Sequence, residues 1–340
     1  MADSSLLVLH IGMPKVGSSS IQTSLVRSRK VLKRQGIVWP DEAQERGGHY
    51  DYLAKAALGR ISPRYLKAFG RFLERRDEST VAVSSELLWN LDSQMIPLIR
   101  ERVGDRRVRI AIYVRPYQDW LRSKFMQHAR ARRGAADFDT FFDLSAGAAS
   151  IKAVIARWAD LFGRDALHIR HVEALADKDV VSDFMQLAGA EDWQTVHENT
   201  SPHWTVCELA RSMLLHEPQE GELYEKKATN RQFRDELNVA TGRLGIPAAR
   251  YLTIAQWLEL DIRYRSEAEW LHEFAGVPLP HFADPPTEER PFLPDVSEAP
   301  DAFFDLLNQQ LAGSAVLDEN PYLAETIRRV MIAAGRPPAA

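Results

Sequence analysis

Gly12 and Gly17 stand five positions apart and enclose Met13, Pro14, Lys15 and Val16; three hydroxyl residues, Ser18, Ser19 and Ser20, follow at once. Glycines at this spacing let a chain turn tightly. The N–H groups of such a loop, together with those of a helix starting behind it, converge on one place and hold phosphate oxygens. Lys15 is the only cation inside the loop, so it is the side chain able to meet charge on an anion held there. A Walker A loop carries lysine directly after its second glycine. This chain has Ser18 at that position, which weakens an ordinary nucleoside triphosphatase reading.

The surrounding sequence supplies the elements that must position the loop. Residues 5–11 form a nearly continuous apolar run, the pattern of a parallel strand buried on both faces, and residues 18–34 place Ile21, Leu25, Val31 and Leu32 at roughly helical spacing. Similar short apolar runs recur at 36–39, 80–84, 108–114 and 166–170, separated by helical patterns around 63–76, 117–133, 148–162 and 179–189. Strands alternating with helices predict an α/β fold, a parallel sheet with helices on both faces. Later segments near 203–216, 230–243, 253–275 and 322–334 read as helices, and the Pro-rich stretch 278–300 reads as irregular. The expected organisation is an α/β core over 1–195 and a mainly helical C-terminal part over 196–340, packing on the same domain.

Charge is unevenly shared. Residues 1–135 hold 25 Lys and Arg against 13 Asp and Glu, and residues 136–340 hold 18 against 34, within a net charge of −4. A basic first part suits an anionic ligand, with a solvated basic face as the plainer alternative. The single cysteine, Cys207, excludes an internal disulfide and fits a small buried apolar side chain and a reducing, cytoplasmic location. No apolar stretch reaches the ~20 residues of a membrane span, and no His, Asp or Glu cluster has metal-ligand spacing.

The string His10-Ile11-Gly12-Met13-Pro14-Lys15-Val16-Gly17-Ser18-Ser19-Ser20 resembles the 5′-phosphosulfate loop of sulfotransferases that use 3′-phosphoadenosine 5′-phosphosulfate (PAPS). Bacterial and carbohydrate-directed members of that family commonly read Pro-Lys-Thr-Gly-Thr-Thr here. Pro14, Lys15 and Gly17 match, Ser18 and Ser19 keep the two hydroxyls, and Val16 departs where Thr or Ser is common. The resemblance implies a P-loop-type fold. It also implies a 5′-phosphate held by Ser18, Ser19 and the N–H groups from Gly17 through Ser20, and a Lys15 that stabilises the departing phosphate of adenosine 3′,5′-bisphosphate (PAP).

The same family carries an Arg at the end of a later strand and a Ser eight positions on, which together bind the 3′-phosphate. Arg115, ending the run Arg109–Val114, and Ser123 have that spacing. A guanidinium fork and a hydroxyl suit a phosphate dianion. Looser similarity extends over about residues 5–275, including Gly36–Pro40 and Ala166–Leu187, with the specific motifs confined to the first 125.

The resemblance implies a hydroxylated acceptor, a glycan or a small metabolite, whose proton must be taken as the oxygen attacks sulfur. Glu86, just after the run Thr80–Ser84, occupies a position similar to the catalytic Glu of glycan sulfotransferases and is the first candidate base. His49, behind Gly47-Gly48, is the second. His10 is expected to orient the loop. Sulfuryl transfer does not demand a divalent ion, so no metal is expected. Two rivals stay open: a P-loop small-molecule kinase, which needs lysine after Gly17, and a non-catalytic nucleic-acid-binding module, which lacks any recognised motif. Oligomeric state is not readable.

Overall fold

The computed structural model describes residues 5–40, 51–76, 80–130, 136–147, 150–197, 203–216, 227–246, 249, 251–276 and 295–339. It is an α/β protein whose single sheet, among these residues, has five parallel strands flanked by helices, with a helical C-terminal part. The strands are β1 (Leu6–His10), β2 (Ile37–Val38), β3 (Thr80–Ser84), β4 (Arg107–Val114) and β5 (Leu167–His171), in the order β2-β3-β1-β4-β5. All five residues of β1 are buried, which requires cover on both faces and explains the unbroken apolar run that encodes it. In register, His10 lies beside Ser84 on one side and Ala111 on the other.

The first helices are α1 (Ser18–Arg27), α2 (Arg29–Arg34), α3 (Asp51–Ala57), α4 (Arg64–Glu74), α5 (Ile96–Val103), α6 (Tyr117–Arg130), α7 (Phe138–Ser145), α8 (Ile151–Phe162) and α9 (Val180–Leu187). They are followed by α10 (Trp204–Leu215), α11 (Lys227–Thr241), α12 (Ile254–Ala275), α13 (Asp301–Gly313), α14 (Ala315–Asp318) and α15 (Pro321–Ala333). Helices α3, α5, α7, α13 and α14 add to those the periodicity predicts. The Pro-rich stretch lies largely outside the described residues, and its end forms a short 3-10 turn over Val296–Glu298 capped by Asp295.

The chain divides into two compact units, each assembled from separate stretches. The first comprises Met1–Trp120, Ala149–Thr200 and Asp261–Asp284; the second comprises Leu121–Ala148, Ser201–Leu260 and Pro285–Ala340. The first contains the whole sheet. Its helix α9 is tied to the sheet by Asp183, which accepts from the Tyr113 hydroxyl of β4 at 2.7 Å and is hydrogen-bonded to Nε2 of His168 on β5 at 2.9 Å. The second is helical throughout its described residues, around Trp204, Cys207, Phe303, Leu307, Ile327 and Met331, all buried. Among the described residues no helix is long and apolar enough to cross a membrane.

Candidate functional site

The chain leaves β1 for an edge strand on one side of the sheet and later places β4 on the other side, so the order reverses between β1 and β4. In open parallel sheets, ligands bind in the crevice outside the carboxyl ends of the strands at such a switch point. The loop 11–17 leaves the carboxyl end of β1, Arg115 leaves that of β4, and Glu86 follows β3. The three neighbouring strands, spaced by about 5 Å, therefore bring Lys15, Arg115 and Glu86 to one edge of the sheet.

The loop is shaped by two left-handed residues. Gly17, the residue before α1, has φ 97°, and Lys15 has φ 74°, a region that a side chain other than glycine's enters at a cost of about 1 kcal/mol or more. A Cβ on Gly17 would stand 2.8 Å from Cγ2 of Val180, so the loop also lies close against the start of α9. Helix α1 begins without a side-chain cap and without an acidic residue in its first turn. The Ser18 hydroxyl is buried and has no hydrogen-bond partner among the described residues. Ser20 is buried; Pro14, Lys15 and Ser19 are half-buried.

Beneath the loop, Nδ1 of His10 is hydrogen-bonded to the Ser84 hydroxyl at 2.8 Å, and Nε2 of Gln22 donates to the same oxygen at 3.1 Å. Tyr113 and Phe184 flank the imidazole, with ring centroids at 5.6 and 6.1 Å. Complete burial pushes the His10 pKa down to about 3, so the ring is neutral at physiological pH. A Cβ on Gly12 would fall 2.2 Å from His10 Nε2, and this ring cannot swing away without breaking the Ser84 bond. Gly12→Ala is therefore expected to cost about 2–3 kcal/mol, as overpacking a closed core does. Urea unfolding measures it, and an unchanged midpoint would show that His10 is not what keeps this position a glycine.

Arg115 joins the two loops: its Nη1 donates to the Lys15 carbonyl at 3.1 Å, and its Nη2 lies 3.6 Å from Oε1 of Glu173. The other Glu173 oxygen is paired with Lys178, which like its neighbour Asp177 is left-handed, at φ 54° and 52°. Glu173 and Lys178 belong to the turn after β5, again at the carboxyl edge. Sequence reasoning passed over both, since their meeting with Arg115 is tertiary and no local motif announces it; the one available signal was their position after a parallel strand.

Glu86 opens the 3-10 turn Glu86–Asn90, whose cap, Ser85, accepts from Leu87 N–H and donates to Asp51 Oδ1 at 2.7 Å. Its side chain is half-buried, and it makes no hydrogen bond or ion pair with any described residue. His49 lies outside the described residues. Ser123 is in the second turn of α6 and belongs to the second unit.

Compared with protein-family models, curated proteins and solved structures, the chain has no match.

Proposed function

We propose that the protein is a PAPS-dependent sulfotransferase that moves a sulfuryl group to a hydroxyl of an acceptor, a glycan or a small hydroxylated metabolite. The observation that carries the reading is the Arg115 to Lys15 carbonyl bond: one hydrogen bond couples the glycine loop of β1 to the strand-end arginine of β4 at the switch point. Two cation-bearing loops held together in this way suit a nucleotide with phosphate at both ends.

The residues present fit that donor. A buried Ser18 hydroxyl without a partner and an uncapped helix N-terminus both call for acceptor oxygens, and leaving such a hydroxyl unsatisfied costs about 1–3 kcal/mol. PAPS supplies an activated sulfuryl group whose departure leaves charge on the 5′-phosphate. In this reading the N–H groups from Gly17 through Ser20 and the Ser18 and Ser19 hydroxyls hold that phosphate, and Lys15 neutralises the charge that develops on it. Arg115 supplies guanidinium N–H donors for the 3′-phosphate. Glu86 takes the proton of the acceptor hydroxyl as that oxygen bonds to sulfur and the sulfur–oxygen bond to phosphate breaks. A cytoplasmic location belongs to the same reading.

A panel of glycans, lipids, phenols and small alcohols incubated with [³⁵S]PAPS is expected to yield a labelled product identifiable by mass spectrometry. ATP-dependent transfer instead, or Mg²⁺-dependent ATP binding in preference to PAP, would replace this reading with the kinase. Glu86→Gln is expected to lower turnover about a hundredfold, the usual scale of a lost general base, with PAP affinity within twofold of wild type. Normal turnover in that variant would remove Glu86 as base and leave His49 to be tested.

Glu173 holds a carboxylate against Arg115 and Lys178 where the reading needs a phosphate. Glu173→Gln is accordingly expected to tighten PAP binding about fivefold by calorimetry, the scale of releasing one partly exposed ion pair. Weaker binding in that variant would mean that Glu173 holds Arg115 in place rather than competing for it.

A further inference from the structure

The acidic surplus of residues 136–340, 34 Asp and Glu against 18 Lys and Arg, is not spread evenly over their surface. Four carboxylates of the second unit, Asp137, Asp139, Glu208 and Asp295, line one cavity of about 320 Å³, and the other described residues lining it are Phe125, Phe138, Tyr251 and Arg211. That volume is at the lower end of small-molecule pockets, roughly 300–1,000 Å³. Arg211 is already engaged: its Nε is 2.7 Å from Glu208 Oε2, and its Nη2 is 3.5 Å from Asp295 Oδ2. Asp137 caps α7 by accepting from Thr140 N–H, and Asp139 accepts from Gln256. Among the described residues that line the cavity, one guanidinium stands against four carboxylates.

The aromatic side has its own unmet group. Tyr251 is 3% exposed, its ring packs at 5.4 Å from both Phe125 and Phe138, and its hydroxyl has no hydrogen-bond partner among the described residues. Tyr251 lines the cavity together with Glu208 and Arg211. Burial first, then the nearby Cys207 and Glu208, raises its pKa, so it stays an O–H with lone pairs to offer.

We propose that this cavity binds a small organic cation, a primary ammonium on an aromatic or short hydrocarbon body. The ammonium lies among the carboxylates and donates to the Tyr251 oxygen, and the body packs on Phe125 and Phe138, whose ring faces also attract a cation. A metal ion is the poorer occupant. Among the described residues no three His, Cys, Asp or Glu are arranged to hold one, whereas an ammonium with three N–H groups and an apolar stem can span dispersed oxygens and rings.

The test is a calorimetric titration of the full chain with phenethylamine and with its neutral isostere phenethyl alcohol. The amine is expected to bind about tenfold more tightly, an advantage that shrinks in 0.5 M salt as surface charge is screened. Tyr251→Phe removes only the hydroxyl and is expected to weaken the amine about fivefold, the scale of one ordinary hydrogen bond, and the alcohol by less. Asp139→Asn, which leaves the Arg211 pairs intact, is expected to weaken the amine about threefold. Equal affinity for amine and alcohol, no amine binding at 10 mM, or an amine affinity unmoved in both variants would overturn the proposal. PAP binding and sulfuryl transfer are separate readouts, so the cavity stands or falls independently of the function proposed above.

Discussion

Lys15→Ala is expected to lower sulfuryl-transfer turnover about a hundred- to a thousandfold, the range found when one group aimed at developing transition-state charge is removed. PAP affinity should fall far less, because the backbone N–H groups and Arg115, to which the proposed function assigns the phosphates, remain. The geometry makes the experiment clean: Arg115 grips the Lys15 carbonyl, so the join between the two loops does not need the lysine side chain. Lys15 also sits at φ 74°. Lys15→Gly should therefore be as inactive as Lys15→Ala yet about 1 kcal/mol more stable, because glycine enters the left-handed region without a Cβ penalty. Turnover of Lys15→Ala within a few-fold of wild type would remove the leaving-group role.

The second large effect is acid lability. Burial holds His10 neutral with a pKa of about 3 and, with Glu173 raising it and Arg115 lowering it by less, brings His171 to about 4, against about 6.5 for an unfolded histidine. Between those values the unfolded chain binds protons that the native one refuses. Unfolding free energy therefore rises with pH across this window, and stability is lost as pH falls from about 6.5 toward 4 and below. At 1.36 kcal/mol per pH unit the His10 share approaches about 5 kcal/mol, comparable with the whole stability of many domains. Urea unfolding at a series of pH values should show wild type losing about 1.4 kcal/mol per pH unit more than His10→Asn near pH 5. The asparagine keeps an amide able to bond Ser84 but cannot be protonated. Parallel pH slopes for the two proteins would mean that His10 does not titrate as its burial demands.

What the sequence disclosed and what it concealed follow one physical division. Strands β1, β3 and β4 are legible because each holds a short apolar run buried by cover on both faces, and β1 declares the loop because two glycines and a lysine are local features. Helix α5 is hidden since its eight residues, Ile-Pro-Leu-Ile-Arg-Glu-Arg-Val, hold too few turns for periodicity to show. Helix α7 carries a readable Asp137 cap, but its apolar Phe138, Phe141 and Phe142 come just after an Arg-rich stretch that reads as a helix end. At the site, Lys15, Ser18 and Arg115 come from motifs, whereas Glu173 and Lys178 matter only through Arg115, across the sheet edge. The His10, Ser84 and Gln22 chain is of the same kind: its members are 74 and 62 residues from one another along the sequence.

The central place of β1 has a consequence for how the protein is made. Leu6–His10 leaves the ribosome well ahead of both its neighbours, β3 at Thr80–Ser84 and β4 at Arg107–Val114. At about 5–20 residues per second, this fully buried central strand waits several seconds with both of its edges unpaired. The bond from Arg115 to the Lys15 carbonyl cannot form before Arg115 arrives, 100 residues behind Lys15. Chaperone depletion or a faster translation rate should therefore lower the soluble yield of this chain through β1, before any ligand can act on the finished site.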